Sequence, residues 1–582
     1  MIYPNTRNTI VIDENTPKEQ IRSDILPKTG WVAGLNHGAH DASAALCYEG
    51  SLVVWIEQER ISRCKNAINK SPADSLAKCL EFADISMHDL DCIALGSDHE
   101  RLLRWLDPPE EERKKIIALN HPDRLLPDTF TKDAKLPFVK VSHHLSHIAS
   151  AFYPSGFDRT AALIVDAMGE DSSITLAKCE NNSINYLETY GVEDSLGFFY
   201  EAALEYVGFT KFEAGKLMGL AAYGSPTDTI PMNVDLLKSP LLAIDTISSK
   251  SGRSGIIKRK DYLLKLFAQN CFPYMSGLSD EIMAYKDFAA SIQNALEKVL
   301  QLLVEHVIRR SHCDRLVMAG GVALNCAANG KLANTGLMRE IFIQPVSNDS
   351  GVALGAALET SAHLYGNTFN SKAMNHAYWG IAAKRNEIIY ELKNAQLSYQ
   401  EIAQDYLCQL VAEILGKQGI VAWHQGRAEV GPRALGARSL IADPRYRTNL
   451  IRLNNIKGRE VWRPLAPSVL EESFHEYFDG YPNQFMLVAA QVKKSRRHLI
   501  PAVVHLDGSA RPQVVNRSLN PCYAALLESF QNITNIPLVI NTSLNKKNEP
   551  ICNTVKDTVI FFKNSDIDAL VIENFLVQKN GS

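Results

Sequence analysis

No two of the eleven cysteines stand in a Cys-x-x-Cys spacing, and their number is odd. That excludes zinc ribbons and knuckles and argues against a disulfide framework, so reduced thiols in a cytoplasmic protein are expected. No stretch approaches roughly eighteen consecutive apolar residues, so no membrane-spanning helix is predicted. The start, Met1-Ile2-Tyr3-Pro4-Asn5, lacks the basic and apolar regions of a secretory signal. A basic excess is missing as well: 61 Lys and Arg stand against 65 Asp and Glu, for a net charge of -4. Nucleic-acid partners normally need a basic surface, so none is expected, although a local basic pocket stays open. There is no internal repeat and no low-complexity tract.

What is present is ordinary globular material, with 46% hydrophobic and 22% charged residues in a chain of 582. That length exceeds what one core accommodates and predicts at least two domains. Residues 1–29, polar and punctuated by Pro4, Pro17 and Pro27, read as an irregular extension. From Trp31, short apolar or β-branched runs alternate with helical patterns. Strands are predicted at Trp31–Asn36, Ala44–Cys47, Leu52–Ile56, Cys92–Leu95, Phe138–Val141, Ala161–Val165, Ile174–Ala177, Leu316–Ala319 and Ile341–Ile343. Helical spacing over 287–306 and 351–364 completes an α/β reading. The Asn-, Gly-, Ala- and Lys-rich stretch after Tyr365 marks a boundary. The predicted division is a first domain over 30–365, a linker over 366–395 and a second α/β domain over 396–582.

The run Val141-Ser142-His143-His144-Leu145-Ser146-His147 carries the sharpest chemical signal. His143 and His147, four apart, project from one face of a helix about a turn apart. With a carboxylate such as Asp166, at the end of an apolar strand, they could share a divalent ion of the Fe(II) or Zn(II) kind. The competing reading is an incidental His pair. Asp349 precedes a small-residue helix, where it would either cap the N-terminus or bind a metal. The stretches Gly34–Ser43 and Asp166–Ser173 are each a strand, a turn of small residues and a returning strand, an arrangement that offers backbone N–H groups to phosphate. Gly320-Gly321 and Asn325 after another strand, and Lys216 within Lys211–Gly224, fit a nucleotide cleft.

Beyond the boundary, Arg427, Arg433 and Arg438 crowd a loop-forming stretch. Lys457, Arg459, Arg463, Arg511, Asn541 and Ser543 follow in segments rich in Gly, Pro and Asn. Guanidinium forks match phosphate and carboxylate oxygens, and the rigid or apolar residues between them point to an anion pocket rather than a solvated face.

Taken in order, these motifs resemble the ATP-dependent O-carbamoyltransferases of the NodU/CmcH family, the aminoglycoside-modifying members above all. The matching stretches run from His40-Asp41-Ala42-Ser43, Glu59-Arg60 and Lys65 through the His143 run, Asp166–Glu170, Gly320–Asn325 and Asn348–Gly351. They continue with Gly431–Gly436, Lys457–Glu460, Arg463–Pro467, Asp507–Arg511 and Asn541–Asn545. Leu544 and Asn548 depart from the family's usual phenylalanine and glycine. The resemblance implies an N-terminal domain of actin-like ATPase fold, akin to tRNA threonylcarbamoyl-transfer domains. It implies iron (zinc or manganese as substitutes) on His143, His147, Asp166 and Asp349, and adenylate near Gly169, Lys216, Gly320, Gly321 and Asn325. His40 and Lys65 would act at transfer, His40 as a base or orienting group. It implies a YrdC-like C-terminal domain in which Arg433, Arg438, Lys457, Arg463, Arg511, Asn541 and Ser543 hold ATP, with Mg, and carbamoyl phosphate, Lys457 and Arg511 being catalytic. The acceptor would be a hydroxyl-bearing small molecule held around 185–290, where Glu193-Asp194 or Glu201 with Glu205 could supply acid groups. The expected assembly is a monomer or homodimer. The competing activities are a threonylcarbamoyl-transferase acting on tRNA, a kinase of the same ATPase fold and a non-catalytic ATP-binding assembly module.

Overall fold

The computed structural model describes residues 9–17, 25, 27–119, 126, 136–227, 252–270 and 282–579. The chain forms two compact units: one takes the chain through Ser62, Asn66–Ala328 and Thr335–Met374, the other Arg63–Lys65, Asn329–Asn334 and Asn375 onward.

The first unit holds eleven described strands: β1 (Thr9–Ile12), β2 (Trp31–Asn36), β3 (Ser43–Tyr48), β4 (Ser51–Glu57), β5 (Leu90–Leu95), β6 (Phe138–Val141), β7 (Arg159–Gly169), β8 (Ser172–Glu180), β9 (Ser183–Gly191), β10 (Arg315–Ala319) and β11 (Glu340–Ile343). They form two sheets, ordered β1-β6-β5-β2-β3-β4 and β11-β10-β7-β8-β9. Each sheet is one pattern written twice. An antiparallel meander (β2-β3-β4, β7-β8-β9) is extended from its first strand by parallel neighbours (β5-β6, β10-β11). The repeat escapes the sequence because a pleated sheet asks for apolar periodicity rather than particular residues.

Three differences from the sequence expectation have physical reasons. Thr9–Ile12, placed in an irregular extension, is an edge strand parallel to β6, as its β-branched run allows. β9 went unpredicted because it is a half-exposed edge strand with little apolar alternation. The supposed linker contains a helix, Arg385–Asn394, whose Ile388 and Leu392 are buried in the second unit's core. The rest of the 1–29 expectation falls mostly on 1–8, 18–24 and 26, outside the described residues.

Helix Ser350–Tyr365 is buried along almost its whole length, which its small residues permit. A Cβ on Gly355 would lie 1.7 Å from the carbonyl oxygen of Ser146, and one on Gly34 would lie 1.9 Å from that of Ala353. Glycine at these places lets the helix press against both helix His143–Ser155 and strand β2. Gly355→Val is therefore expected to destabilise the first unit by about 3 kcal/mol or more, since backbone must retreat. Thermal unfolding would show it, and an unchanged Tm would refute the close crossing.

In the second unit eight short strands form one mixed sheet. Val421–His424, Arg438–Ala442 and Leu538–Ser543 are central, and Ala466–Leu470 and Gln513–Val515 lie toward one edge. Helix Pro521–Thr534 starts with proline at its first turn, where no N–H is needed, and Asn520 accepts from Tyr523 N at 3.1 Å. It packs on helix Gln404–Gly416.

Candidate metal centre and anion pocket

Four side chains from three distant segments converge in the first unit. His143 opens its helix and His147 follows one turn later, 6% and 0% exposed. Asp166 lies where the β7–β8 ladder breaks register between Val165 and Gly169, an irregularity that turns the strand end out of its pairing. Asp349 precedes helix Ser350–Tyr365, yet its carboxylate caps no backbone N–H there. It faces the imidazoles instead.

His143 Nε2 lies 3.4 Å from Asp166 Oδ2 and 3.6 Å from Asp349 Oδ1. His147 Nε2 lies 4.0 and 3.8 Å from the same carboxylates. These separations exceed hydrogen bonds, and neither Nε2 has a hydrogen-bond partner although both are buried. Ligand atoms at bonds of about 2.1 Å in a tetrahedral site stand about 3.4 Å apart, close to what is seen. One donor atom from each of the four residues lies within 4.8 Å of the others. The donor set thus fits a divalent ion of borderline hardness. Burial opposes charge on His143 and Asp349, but their mutual contacts prevail: the carboxylates raise the His143 pKa, and the imidazoles hold Asp349 well below the usual carboxylate range.

The surroundings buttress this cluster. Gly321 N donates to Asp166 Oδ1 at 3.1 Å. Gly320 has φ +88°, and a Cβ there would lie 2.3 Å from the Val165 carbonyl oxygen, so only glycine suits the turn. A Cβ on Gly169 would strike the rings of His143 and His144. Glu170, which the sequence reading did not single out, accepts from His143 N at 3.1 Å and Asp98 N at 2.6 Å; burial pushes its carboxyl up to about 7. His40 Nδ1 is 3.2 Å from Asp41 Oδ2 and 3.9 Å from Asp349 Oδ2. Burial disfavours its proton, but these carboxylates raise its pKa to about 9.

Other expected site residues are held by neighbouring protein groups. The Asn325 amide is paired with that of Gln293, 3.0 Å in both directions, and orders its turn. Lys216 is buried against Glu213 and the Phe209 ring. Lys65 opens the turn Lys65–Ala67, in which the Asn66 carbonyl oxygen accepts from Asp41 N at 2.6 Å, beside His40.

The second unit gathers the basic residues. Lys457 Nζ reaches Ser543 Oγ at 3.1 Å and the Asn545 carbonyl and Oδ1 oxygens at 2.9 Å, besides the Ser543 carbonyl. None of these acceptors is charged. Burial lowers the Lys457 pKa well below the usual lysine value, and Arg459 and Arg463 lower it further. Burial likewise depresses Arg459 to about 9, helped by Arg463 and Arg511. Four cations so close, with few carboxylates among them, describe a site for a polyanion. Arg459 belongs to it, although the residues carried over by resemblance omitted it. His505, half-buried and lowered by desolvation to about 4, adds a neutral imidazole near Arg511. Asn541 is 1% exposed and donates to the Ala434 carbonyl, Ser468 Oγ and Gln513 Oε1. Arg433 is half-buried on the loop before Ala434.

Arg438 is engaged by the main chain. It is 0% exposed, and its guanidinium donates to the carbonyl oxygens of Gln425, Gly426, Ala437, Ile381 and Asn553 at 3.0–3.4 Å. All three of its nitrogens are thereby committed to the main chain, and none is directed to a phosphate. With Glu429, whose Oε1 accepts from Leu435 N and Arg438 N, it fastens the Gly431–Gly436 loop. Arg438→Ala is expected to cost about 3 kcal/mol or more, because buried carbonyls lose their donors. Denaturant unfolding would read that loss; a fully stable variant lacking only activity would restore the ligand-binding reading.

Comparison with known families places the chain among the transferases. Residues 32–358 match the Carbamoyltransferase N-terminus model and residues 412–579 the Carbamoyltransferase C-terminus model. The chain belongs to the carbamoyltransferase family. It is 36% identical over 561 residues to Nodulation protein NolNO of Sinorhizobium fredii, covering 93% of this chain and 79% of that one. It is 35% identical over 599 residues to an uncharacterized protein of Synechocystis, covering 94% and 96%. Among solved structures, the full-length HypF in its phosphate- and nucleotide-bound form covers 60% of this chain and 58% of its own, at 13% identity and TM-score 0.32. That structural likeness is too low to carry an argument. Among the described residues no helix is long and apolar enough to cross a membrane.

Proposed function

We propose that this protein is an ATP- and carbamoyl phosphate-dependent O-carbamoyltransferase that forms carbamoyl-adenylate in its second unit and transfers the carbamoyl group to a small-molecule hydroxyl in its first. The observation that carries the reading is the pairing, in one carbamoyltransferase chain, of a buried His2Asp2 cluster with a separate pocket of Lys457, Arg459, Arg463 and Arg511. A kinase would need neither. The duplicated sheets of the first unit support an actin-like ATPase fold, and the second unit takes the YrdC-like role.

In the second unit, water hydrolyses carbamoyl phosphate to carbamate and inorganic phosphate, a carbamate oxygen attacks the α-phosphorus of ATP, and pyrophosphate leaves. Carbamate is a poor electrophile, whereas its mixed anhydride with AMP has a good leaving group. Lys457 supplies a point charge set by Ser543 and Asn545; Arg459, Arg463, Arg511 and Arg433 offer forks to phosphate oxygens. In the first unit, Gly320, Gly321 and Gly169 let backbone approach the adenylate, and His40, held by Asp41, orients the reacting groups. His143, His147, Asp166 and Asp349 would hold an iron(II), zinc or manganese ion, which when bound supplies Lewis-acid charge beside the carbonyl. The aminoglycoside-type acceptor implied by the motif resemblance is the first to try.

The test is mass spectrometry of the protein with ATP, Mg and carbamoyl phosphate but no acceptor. Pyrophosphate and a carbamoyl-AMP mass are expected. Only ADP would sink this reading and bring back the kinase.

A further inference from the structure

One carboxylate near the cluster has no hydrogen-bond or ion-pair partner among the described residues. Helix Leu196–Tyr206 is docked on the strand end that carries Asp166: Ser195 Oγ donates to the Ala167 carbonyl oxygen at 2.7 Å, and a Cβ on Gly197 would lie 2.5 Å from Ala167 Cα. Glu201 follows Gly197 by one helical turn, so both lie on the face turned toward that strand end. The helix also packs against the Gly321–Leu324 turn and the Lys211–Glu213 turn. In the latter, the Phe212 ring, 39% exposed, meets the His40 ring edge-on at 5.6 Å. Glu205, one turn beyond Glu201, is engaged by Lys260. Glu201, half-buried, makes neither hydrogen bond nor ion pair among the described residues. The acidic pair expected from sequence is therefore split, and only one member is available to a ligand.

We propose that Glu201 is the proton acceptor for the incoming hydroxyl. The step balances as follows. The acceptor oxygen forms a bond to the carbamoyl carbon, its proton passes to a Glu201 carboxylate oxygen, and the bond from that carbon to the AMP phosphate oxygen breaks. AMP leaves as the anion, and Glu201 returns the proton to water. The assignment rests on the carbamoyl-transfer reading above. The charged groups facing Glu201 are Lys211 from the following turn, Asp166 from β7, His40 from the β2–β3 connection and Lys260 from helix Gly252–Asn270. Burial raises the Glu201 carboxyl above its ordinary value, and Lys211 pulls it back, which brings it nearer the working pH of a general base. His40, whose Nδ1 already lies beside Asp41 and Asp349, keeps the orienting role.

The experiment compares wild type, Glu201→Gln and Glu201→Asp, each as the full chain with ATP, Mg, carbamoyl phosphate and Fe(II). Tobramycin is the probe acceptor, and water is the nucleophile in its absence. Glu201→Gln is expected to slow AMP release about 10²–10³-fold. Its first-turnover pyrophosphate burst and its KM for tobramycin should be unchanged, and it should lose the acidic limb of the rate profile. Glu201→Asp should recover part of the rate. A Glu201→Gln rate within about threefold of wild type, or a loss confined to KM, would overturn the assignment while leaving the carbamoyl-transfer reading in place. A wild type that releases neither pyrophosphate nor AMP would overturn both.

Discussion

His143→Ala is expected to abolish carbamoyl transfer, by about 10³-fold or more, while the pyrophosphate burst from ATP and carbamoyl phosphate stays near wild type. The two half-reactions draw on different residues, and His143 belongs to the cluster of the first unit alone. Removing it leaves one imidazole and two carboxylates, one of them buried. Ion affinity should fall by more than the roughly 10–100-fold that follows loss of a residue merely supporting a ligand. Metal content after dialysis, and the visible spectrum of a cobalt-loaded sample, report this independently of turnover. Loss of the pyrophosphate burst in a folded His143→Ala protein would contradict separate roles for the units.

Lys457→Ala should show the converse pattern: adenylate formation lost by about 10³-fold, with ion content at the cluster unchanged. Lys457→Arg is not expected to rescue it, because Nζ sits in a cage of Ser543 and Asn545 oxygens that fits an ammonium and not a planar fork. The same cage has a proton-linked signature. Burial, then Arg459 and Arg463, lower the pKa of Lys457 in the free protein. A bound polyanion would raise it again, so binding takes up a proton and affinity falls as pH rises through the lysine's titration. Calorimetry of pyrophosphate binding in two buffers of different ionisation enthalpy measures that uptake. Equal apparent enthalpies would exclude a proton-linked lysine.

Much of the site was legible because it is local. A His pair four apart on a helix is written within five residues, and the Gly320-Gly321 turn follows its strand directly. Most strands of the first unit were likewise visible as short apolar runs, since strands buried on both faces need little else. The half-exposed β9, the edge strand β1 and the helix Arg385–Asn394 were missed, because marginal burial leaves little periodicity to detect.

Chain chemistry alone therefore determined the α/β class, the candidate metal ligands as residue types and the existence of a basic pocket. Tertiary structure decided which candidates belong. Asp349 could have been a helix cap; the close crossing at Gly355 and Ser146 brings its helix against that of His147 and makes it a neighbour of the imidazoles. Arg438 and Arg459 look alike in sequence, as arginines in loop-forming segments. One lies in a cage of carbonyls and fastens a loop, whereas the other is held by Asn454 and stands among cations. Glu201 and Glu205 differ by a single turn, and only packing ties one to Lys260 and leaves the other facing the cluster. The reason is general: a residue's type fixes what it can bond, but its desolvation and its partners are set by segments far away in the chain.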